Sequence, residues 1–539
     1  MVFTVVLVLV GGSGAQEHTH ANATQDRLGT VHFETSCSAP AQTEFDRAVA
    51  LLHSFEFSRA IAGFNTALKL DEICAIAYWG IALSQWSNPF AVGLKDKTQL
   101  QAGRASSQLG TKVSAKTDRE RAYLAAVAAL YENFENSPQR SRLLAYRDSM
   151  ATLASKYPAD TEAQIFYALS ISASEDPADK TYAGRLKAGA ILEKLFAQQP
   201  DHPGLAHYII HTYDVPPLAP RALEAARRYS EIAPDAPHAL HMPSHTFTRT
   251  GYWQDSIDSN LAAAASAKRD GETAEELHAS DYLVYAYLQS GQDNAANQVL
   301  SSLSEISSRL DPTVVIGGAG SPSVAYFALA AIPARVALEH GDWRQAAQLV
   351  PQQSPFLHTV ALTWFARGLG AARLGQAQGA EESASSLQQI HDRLQNSGEN
   401  YWSLQVQIAE LEVRAWSAYA AGHHQAALRQ LESAAQLEDG TEKSAVTPGP
   451  LAPARELLGE MLLLDNQPGL ALEQFEATLG KEPNRFRSTY GAAQSAKLSN
   501  RPDRARKYYL QLAKVCEHSD SPGRPEIREA AAFLAQVQP

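Results

Sequence analysis

The sequence predicts an all-α protein built as a repeat array. The chain has 539 residues, which is too long for one compact core and fits either several domains or an array that grows in one direction. Its hydrophobic content of 45% is rich in Ala and Leu and poor in Val and Ile after the first residues, as is typical of packed helices. A turn signature also recurs along the chain, which favours the array.

The first residues predict a secretory signal peptide over residues 1–15. The apolar run from Met1 to Val10 is too short to span a bilayer, and small residues follow it at Ser13 and Ala15. No Lys or Arg precedes the run, and a buried first strand is the alternative. We therefore expect a periplasmic or secreted protein with no membrane span, and a flexible extension over residues 16–40.

The three cysteines fit an exported protein, because disulfides persist in an oxidising compartment. Cys37 precedes the first predicted helix and Cys74 opens the third, so a bridge between them would close the N-terminal repeat. Two buried thiols are the alternative for this pair. Cys516 is predicted to be a core residue in either case.

The turn signature is a Gly or Asn followed five positions later by a small residue. Gly and Asn end a helix readily in the left-handed conformation, and the small residue lets the next helix pack closely. The seven copies are Gly251/Ser256, Gly291/Ala296, Gly341/Ala346, Gly375/Ala380, Gly422/Ala427, Asn466/Ala471 and Asn500/Ala505.

This signature resembles the tetratricopeptide repeat (TPR), a helix-turn-helix unit of 34 residues. Turns are 34 residues apart from Gly341 to Gly375, and a first copy carries Phe57, Ala60, Phe64 and Ala67 before Asp71. The resemblance implies a TPR α-solenoid over residues 41–515, a right-handed superhelix of antiparallel helix pairs. Together with the predicted signal peptide, it leads us to expect an exported TPR protein of bacterial type. A capping helix and tail would follow over 516–539. Residues 88–117 and 440–453 break the pattern and are predicted to be loops, either lids or long connections.

A histidine cluster repeats with the period of the array. His207 and His241 are 34 residues apart, as are His211 and His245. Within each pair the spacing is i, i+4, so both rings leave one face of a helix. Residues 202–245 hold six histidines, whereas the average content of 17 in 539 residues would give between one and two.

The resemblance implies that this cluster lies on the concave, ligand-binding surface of the solenoid. In TPR proteins, fixed positions on the first helix of each repeat line this surface. In this chain those positions hold His238, His241 and His245 in one repeat, and His278, Asp281 and Tyr285 in the next. The residues placed on or near this surface, besides the two pairs, are His238, His278, Asp214, Asp281, Tyr285 and His53. His202 and His358 fall outside the pattern and are predicted to be ordinary surface or core residues.

Neutral imidazole is a ligand for zinc, copper, iron and nickel, and carboxylates complete such sites or orient their imidazoles. The sequence therefore predicts a site for one or two transition-metal ions (copper, zinc or iron). The predicted ligands are His207, His211, His238, His241, His245, His278, Asp214 and Asp281, with Tyr285 and His53 as candidates for ligand contact. Structural histidines, or a metal-free polar groove for an anion or peptide, are the alternatives.

Three functions are compatible with such a chain. The first is an exported scaffold that binds metal and a peptide, protein or small molecule in its concave groove. The second is a metal-dependent oxidoreductase or hydrolase, in which Asp214, Asp281 or Tyr285 helps to activate bound oxygen or water. The third is a metal-free protein-interaction scaffold. A net charge of -12 without a basic run argues against nucleic-acid binding.

Overall fold

The computed structural model describes residues 26–314, 316–319 and 322–536, and all regular secondary structure in these residues is helical. The helices are α1 (Ala39–His53), α2 (Phe57–Leu70), α3 (Ile76–Trp86), α4 (Lys97–Val113), α5 (Asp118–Ala129), α6 (Gln139–Lys156), α7 (Thr161–Ser174), α8 (Ala183–Phe196), α9 (Pro203–Thr212), α10 (Leu223–Ile232), α11 (Pro237–His241), α12 (Pro243–Thr250), α13 (Trp253–Asp270), α14 (Thr273–Gln289), α15 (Asp293–Ser307), α16 (Pro322–Glu339), α17 (Trp343–Gln348), α18 (Leu357–Arg373), α19 (Ala377–Asn396), α20 (Asn400–Ala420), α21 (His424–Asp439), α22 (Ala454–Leu464), α23 (Pro468–Lys481), α24 (Phe486–Leu498), α25 (Pro502–Val515) and α26 (Pro525–Gln536). A short 3-10 helix precedes α10 at Ala219–Ala222. Among these described helices, none combines the length and the apolar character needed to cross a membrane.

Consecutive helices pack as pairs, which confirms the predicted all-α solenoid. The even-numbered helices from α14 to α24 each contact the next member of the same set and form an inner layer. The odd-numbered helices between them contact this layer and bury a smaller share of their own residues. The superhelix also brings distant repeats together, since the indole N–H of Trp253 donates to the carbonyl of Asn484 at 3.0 Å.

The predicted turns have the predicted geometry. All seven Gly or Asn residues of the signature have positive φ, between 56° and 84°, and the small residue five positions later is buried in every copy. Gly251 is required for a second reason, because a Cβ there would lie 2.5 Å from the carbonyl oxygen of Pro483. Local turn chemistry therefore sets the boundaries of the repeats.

Within residues 88–117 the structure contains a helix, α4, which the sequence did not predict. Asp96 caps it by accepting from the backbone N–H groups of Thr98 and Gln99. Its buried stripe includes Gly103, Ser107 and Gly110. Gly and Ser do not stand out as hydrophobic residues, so the sequence of α4 shows no clear helical hydrophobic period. The loop predicted over residues 440–453 is present.

Residues 26–38 are anchored to the helices by the buried side chains of Leu28 and Phe33, in contrast to the flexible extension expected there. Phe33 is fully buried, and its ring centroid lies 5.3 Å from that of Phe45, 5.1 Å from Trp79 and 4.9 Å from Tyr123. Aromatic packing on three helices therefore anchors this segment. The predicted signal peptide and the rest of the extension, residues 1–25, lie outside the described residues.

Cys37 and Cys74 form a disulfide that joins this segment to the turn before α3. They are the two cysteines that the sequence singled out. Cys516 is a buried free thiol.

Candidate metal centre

Three neighbouring segments of the array bring six histidines together. His207 and His211 lie on α9, His278 lies on α14, and the other three lie on α11 and α12. Pro243 begins α12, but Met242 before it keeps helical angles of φ -55° and ψ -35°. The two short helices therefore continue along one path, and Pro243 does not displace the histidines that follow it.

The six histidines form two adjoining triads. In each triad, one ring nitrogen from each histidine lies within 4.8 Å of the others. A metal ion with bonds of about 2.0–2.1 Å would need only small ring movements to contact three such nitrogens. The first triad is His207, His211 and His238, and the second is His241, His245 and His278. The triads are neighbours, since the ring centroids of His211 and His245 are 5.8 Å apart.

All six side chains are buried, with exposed fractions from 0% to 6%. Burial, together with the neighbouring histidines, lowers the pKa of His207, His211 and His241 well below its ordinary value. Burial also lowers the pKa of His278 to about 3, and that of His245 to about 4 despite the nearby Asp214. At neutral pH these rings are uncharged, which is the form that binds a metal.

Hydrogen bonds fix the ring orientation in the second triad. His241 Nδ1 lies 2.7 Å from Asn260 Oδ1, and the Asn260 amide nitrogen donates to the carbonyl of Ser256, so Oδ1 is the acceptor. His245 Nδ1 lies 3.2 Å from Asp214 Oδ2. Both Nδ1 atoms therefore carry the proton, and both Nε2 atoms present lone pairs.

These two Nε2 atoms are only 3.0 Å apart. Two neutral rings whose Nδ1 atoms are protonated have no proton to share between their Nε2 atoms, so two lone pairs face each other. Such a contact is unfavourable in a buried site unless a cation lies between or beside the two nitrogens. A metal ion would supply that cation.

The first triad also presents bare nitrogens. His207 Nδ1 donates to the backbone carbonyl of His53 at 2.6 Å, while His207 Nε2 and His211 Nε2 are buried without a hydrogen-bond partner. Neither ring nitrogen of His238 has a hydrogen-bond partner, although its Nδ1 lies 3.7 Å from Glu275 Oε2. His207 therefore has one ring nitrogen held and the other free, as is common for a ligand imidazole in a metal site.

Asp214 lies beside the second triad but is engaged by other groups. Its carboxylate accepts from Arg249 Nε at 2.8 Å and lies 3.5 Å from Lys443 Nζ. Burial alone would raise the pKa of Asp214, but Lys443, Arg249 and His245 hold it well below its ordinary value. Asp214 therefore orients His245 rather than joining the triad.

Asp281 and Tyr285, which were predicted to share this surface, point elsewhere. Asp281 forms a buried ion pair with Arg335, with N–O distances of 2.7 and 3.2 Å. The hydroxyl of Tyr285 lies 3.3 Å from Glu482 and 3.2 Å from Arg485. Repeat positions could not reveal these partners, because the partners come from other repeats.

His53 belongs to a third cluster, with Glu162 and His202, that the sequence did not predict. His53 Nε2 and His202 Nε2 each lie 2.9 Å from a different oxygen of Glu162. His53 Nδ1 lies 3.0 Å from the hydroxyl of Tyr208. This hydrogen-bonded cluster ties α1 and α7 to α9 and, through the carbonyl of His53, helps to hold His207.

A cavity of about 400 Å³ borders the two triads. Four of the six histidines line it, namely His211, His238, His245 and His278. Its other walls include residues 91–96 and 444–446 and the stacked rings of His358 and Trp402, whose centroids are 4.0 Å apart. A small molecule in this cavity would approach both triads.

The loop over residues 440–453 closes one side of the centre. The hydroxyl of Tyr282 lies 3.0 Å from the carbonyl oxygen of Ala445 and 3.2 Å from that of Thr447. Lys443 reaches Asp214 from the same loop. This second predicted loop is thus a cover for the histidine site.

Comparisons with known proteins add little to this geometry. No protein-family profile matches the chain, and no curated protein matches it. Among solved structures, the chain is similar to the TPR domain of P58(IPK) (16% identity, 70% of this chain and 99% of that chain, TM-score 0.22). It is also similar to the human IFIT1 dimer with m7Gppp-AAAA (10%, 89% and 96%, 0.34) and to the APC/C hetero-tetramer Cut9-Hcn1 (15%, 92% and 90%, 0.34). The fold assignment therefore rests on the helix packing described above.

Proposed function

We propose that the protein binds two transition-metal ions, one in each histidine triad. The observation that carries this proposal is the 3.0 Å contact between His241 Nε2 and His245 Nε2, two lone pairs in a buried site. The unpartnered nitrogens of the first triad extend it to a second ion. Since both triads consist of imidazoles alone, copper or zinc fits them better than iron, which commonly takes a carboxylate as well.

A metal-dependent reaction is favoured over a purely structural metal site. A structural ion is usually closed by four protein ligands, whereas three imidazoles leave a coordination position free. The cavity beside the triads gives a small substrate access to such a position. A bound ion there would activate water or oxygen, while Asp214 would hold His245 in place. Hydrolysis and oxidation are the two reaction classes that this arrangement supports.

We also propose that the protein works in the periplasm or outside the cell. The disulfide between Cys37 and Cys74 supports this location, because cytosolic thiols are kept reduced. Cell fractionation is the test, and a full-length chain with two reduced cysteines in the cytoplasm would contradict the proposal.

Elemental analysis of the purified protein tests metal binding. We expect about two ions per chain, about one after His207→Ala or His241→Ala alone, and none after both substitutions, because each removes one ligand from a different triad. The exposed His423 provides a matched control, as His423→Ala should keep both ions. A wild-type protein that takes up no copper or zinc after chelation and reloading would favour the metal-free interaction scaffold.

A further inference from the structure

A second cavity, of about 320 Å³, lies between α18, α20 and the loop over residues 440–453. Its walls are largely apolar and aromatic and include Phe327, Leu362, Phe365, Trp402 and Val406. Trp402 and His358 border both this cavity and the one beside the triads. The two cavities are therefore neighbours, but none of the six triad histidines lines the second one.

Glu412 is a carboxyl group in this cavity without a partner of opposite charge. Its side chain is only 3% exposed, and Oε1 has no hydrogen-bond partner. In the described part of the chain, no ion pair involves Glu412. An unpaired carboxyl group at this depth is costly, and it indicates that the cavity is built to receive a group that satisfies it.

A second carboxyl group lies beside the first. Glu438 lines the same cavity, and its Oε2 accepts from the backbone N–H of Ala454 at 3.0 Å. Burial and the nearby Glu438 raise the pKa of Glu412 well above its ordinary value, and burial raises that of Glu438 to about 7. A cation between or beside the two groups would relieve both effects.

The basic residues of the cavity do not supply that cation, because each already contacts another carboxylate. Arg455 and Lys481 both pair with Asp439, and Lys180 pairs with Glu442. The remaining basic residues in the wall are Arg249 and Lys443, which pair with Asp214, and Arg335, which pairs with Asp281.

A third polar group defines the length of the site. The side-chain nitrogen of Gln405 is buried without a hydrogen-bond partner and lines the same cavity. Gln405 and Glu412 are seven residues apart on α20, which places them on one face about 10 Å apart along the helix axis. A free donor at one end of the cavity and a free carboxyl group at the other fit an elongated ligand with a polar group at each end.

We propose that this cavity binds a small arylalkylamine, with its ammonium group at Glu412, its ring among Phe365 and Trp402, and a polar terminus near Gln405. The ammonium would be held by charge-assisted hydrogen bonds, and the aromatic walls would favour an aromatic body next to a cation. The proposal does not depend on the metal ions, since the triads do not line this cavity.

Calorimetric titration of the full-length protein with tyramine tests the site. Tyrosol, in which a hydroxyl replaces the ammonium group, is the uncharged control ligand. We expect tyramine to bind at least tenfold more tightly than tyrosol. Glu412→Gln should weaken tyramine binding at least tenfold and leave tyrosol binding unchanged. The titrations are repeated after chelation, so that binding to a metal ion is recognised.

Two controls keep the result clear. Glu412→Gln replaces a buried carboxyl group that lacks a partner of opposite charge and preserves the shape of the side chain, so its urea midpoint should stay within error of that of the wild type. Glu432→Gln changes an exposed glutamate on α21 and should not alter either titration. The proposal is overturned if tyramine does not bind, if it binds no better than tyrosol, or if Glu412→Gln leaves its affinity unchanged.

Discussion

Replacing His238 with Leu should stabilise the metal-free protein and weaken its response to metal. His238 is 3% exposed, and neither of its ring nitrogens has a hydrogen-bond partner. Leu has a similar volume and carries no polar atom. The substitution therefore tests whether the side chain of His238 serves the stability of the fold or the binding of a ligand.

The magnitude follows from the contacts of the ring. A buried polar group without a partner costs about 1–3 kcal/mol. Nδ1 has Glu275 Oε2 at 3.7 Å, so we count only Nε2 as fully uncompensated. An apolar replacement of similar volume costs less than about 1.5 kcal/mol. The metal-free variant should thus gain about 1 kcal/mol in the free energy of unfolding.

Added metal should reverse the order of stability of the wild type and the His238→Leu variant. An ion present at one hundred times its dissociation constant stabilises a folded protein by about 2.7 kcal/mol per independent site. Two occupied triads would contribute about 5.4 kcal/mol to the wild type, and one remaining triad about 2.7 kcal/mol to the variant. The wild type should therefore become the more stable protein once copper or zinc is added.

Urea unfolding followed by circular dichroism measures both effects, with each protein examined after chelation and again with excess zinc. His423→Leu, at an exposed position, serves as the control and should follow the wild type. A metal-free variant that unfolds at lower urea than the wild type would show that the imidazole of His238 is a packing element. Equal protection of both proteins by zinc would show that this ring is not a ligand.

Three further substitutions test other parts of the structure. Asp281→Asn should lower the free energy of unfolding by about 3 kcal/mol, because Arg335 stays buried without its partner, yet elemental analysis should find unchanged metal content. Cys74→Ser removes a link between residues 37 positions apart and should lower the urea midpoint by the equivalent of about 3–4 kcal/mol, and thiol counting on the denatured wild type should find one free thiol. Asp293→Asn should cost about 1 kcal/mol at pH 7, allowing for solvent screening of its contact with Arg524. Burial alone would raise the pKa of Asp293, but Arg524 and His340 lower it below its ordinary value. The stabilisation by the Asp293 carboxylate is therefore present above about pH 4 and is lost as the pH falls further. The urea midpoints of wild type and variant should then converge in acid.

The repeat boundaries could be predicted from the sequence because they depend on local chemistry. A Gly or Asn that ends a helix and a small residue that begins the next packing surface act within a few positions of each other. Gly341 and Ala346 show this, since the first has a φ of 63° and the second is fully buried. α4 escaped prediction for the same physical reason, because its stripe of Gly and Ser buries surface without a hydrophobic signal.

The composition of the triads could be predicted only in part. The i, i+4 spacing paired His207 with His211 and His241 with His245, and the 34-residue period related the two pairs, but neither could show that His238 lies with the first pair and His278 with the second. That division depends on how neighbouring repeats rotate against each other. The same limit applies to Asp281, whose partner Arg335 lies 54 residues away.

The third cluster helps to distinguish a structural from a metal-binding role for the triads. His53 and His202 surround Glu162, which uses both carboxylate oxygens, and only His202 Nδ1 in this group lacks a hydrogen-bond partner. The first triad contains four unpartnered nitrogens in three rings, and the second brings two lone pairs within 3.0 Å. Helices packed for stability alone would fill such positions with apolar side chains, because each orphaned group costs about 1–3 kcal/mol. The fold therefore contains one histidine cluster whose hydrogen bonds are largely complete, and two triads with ring nitrogens that still need a partner. This difference favours metal binding at the triads, because a metal ion would be that partner.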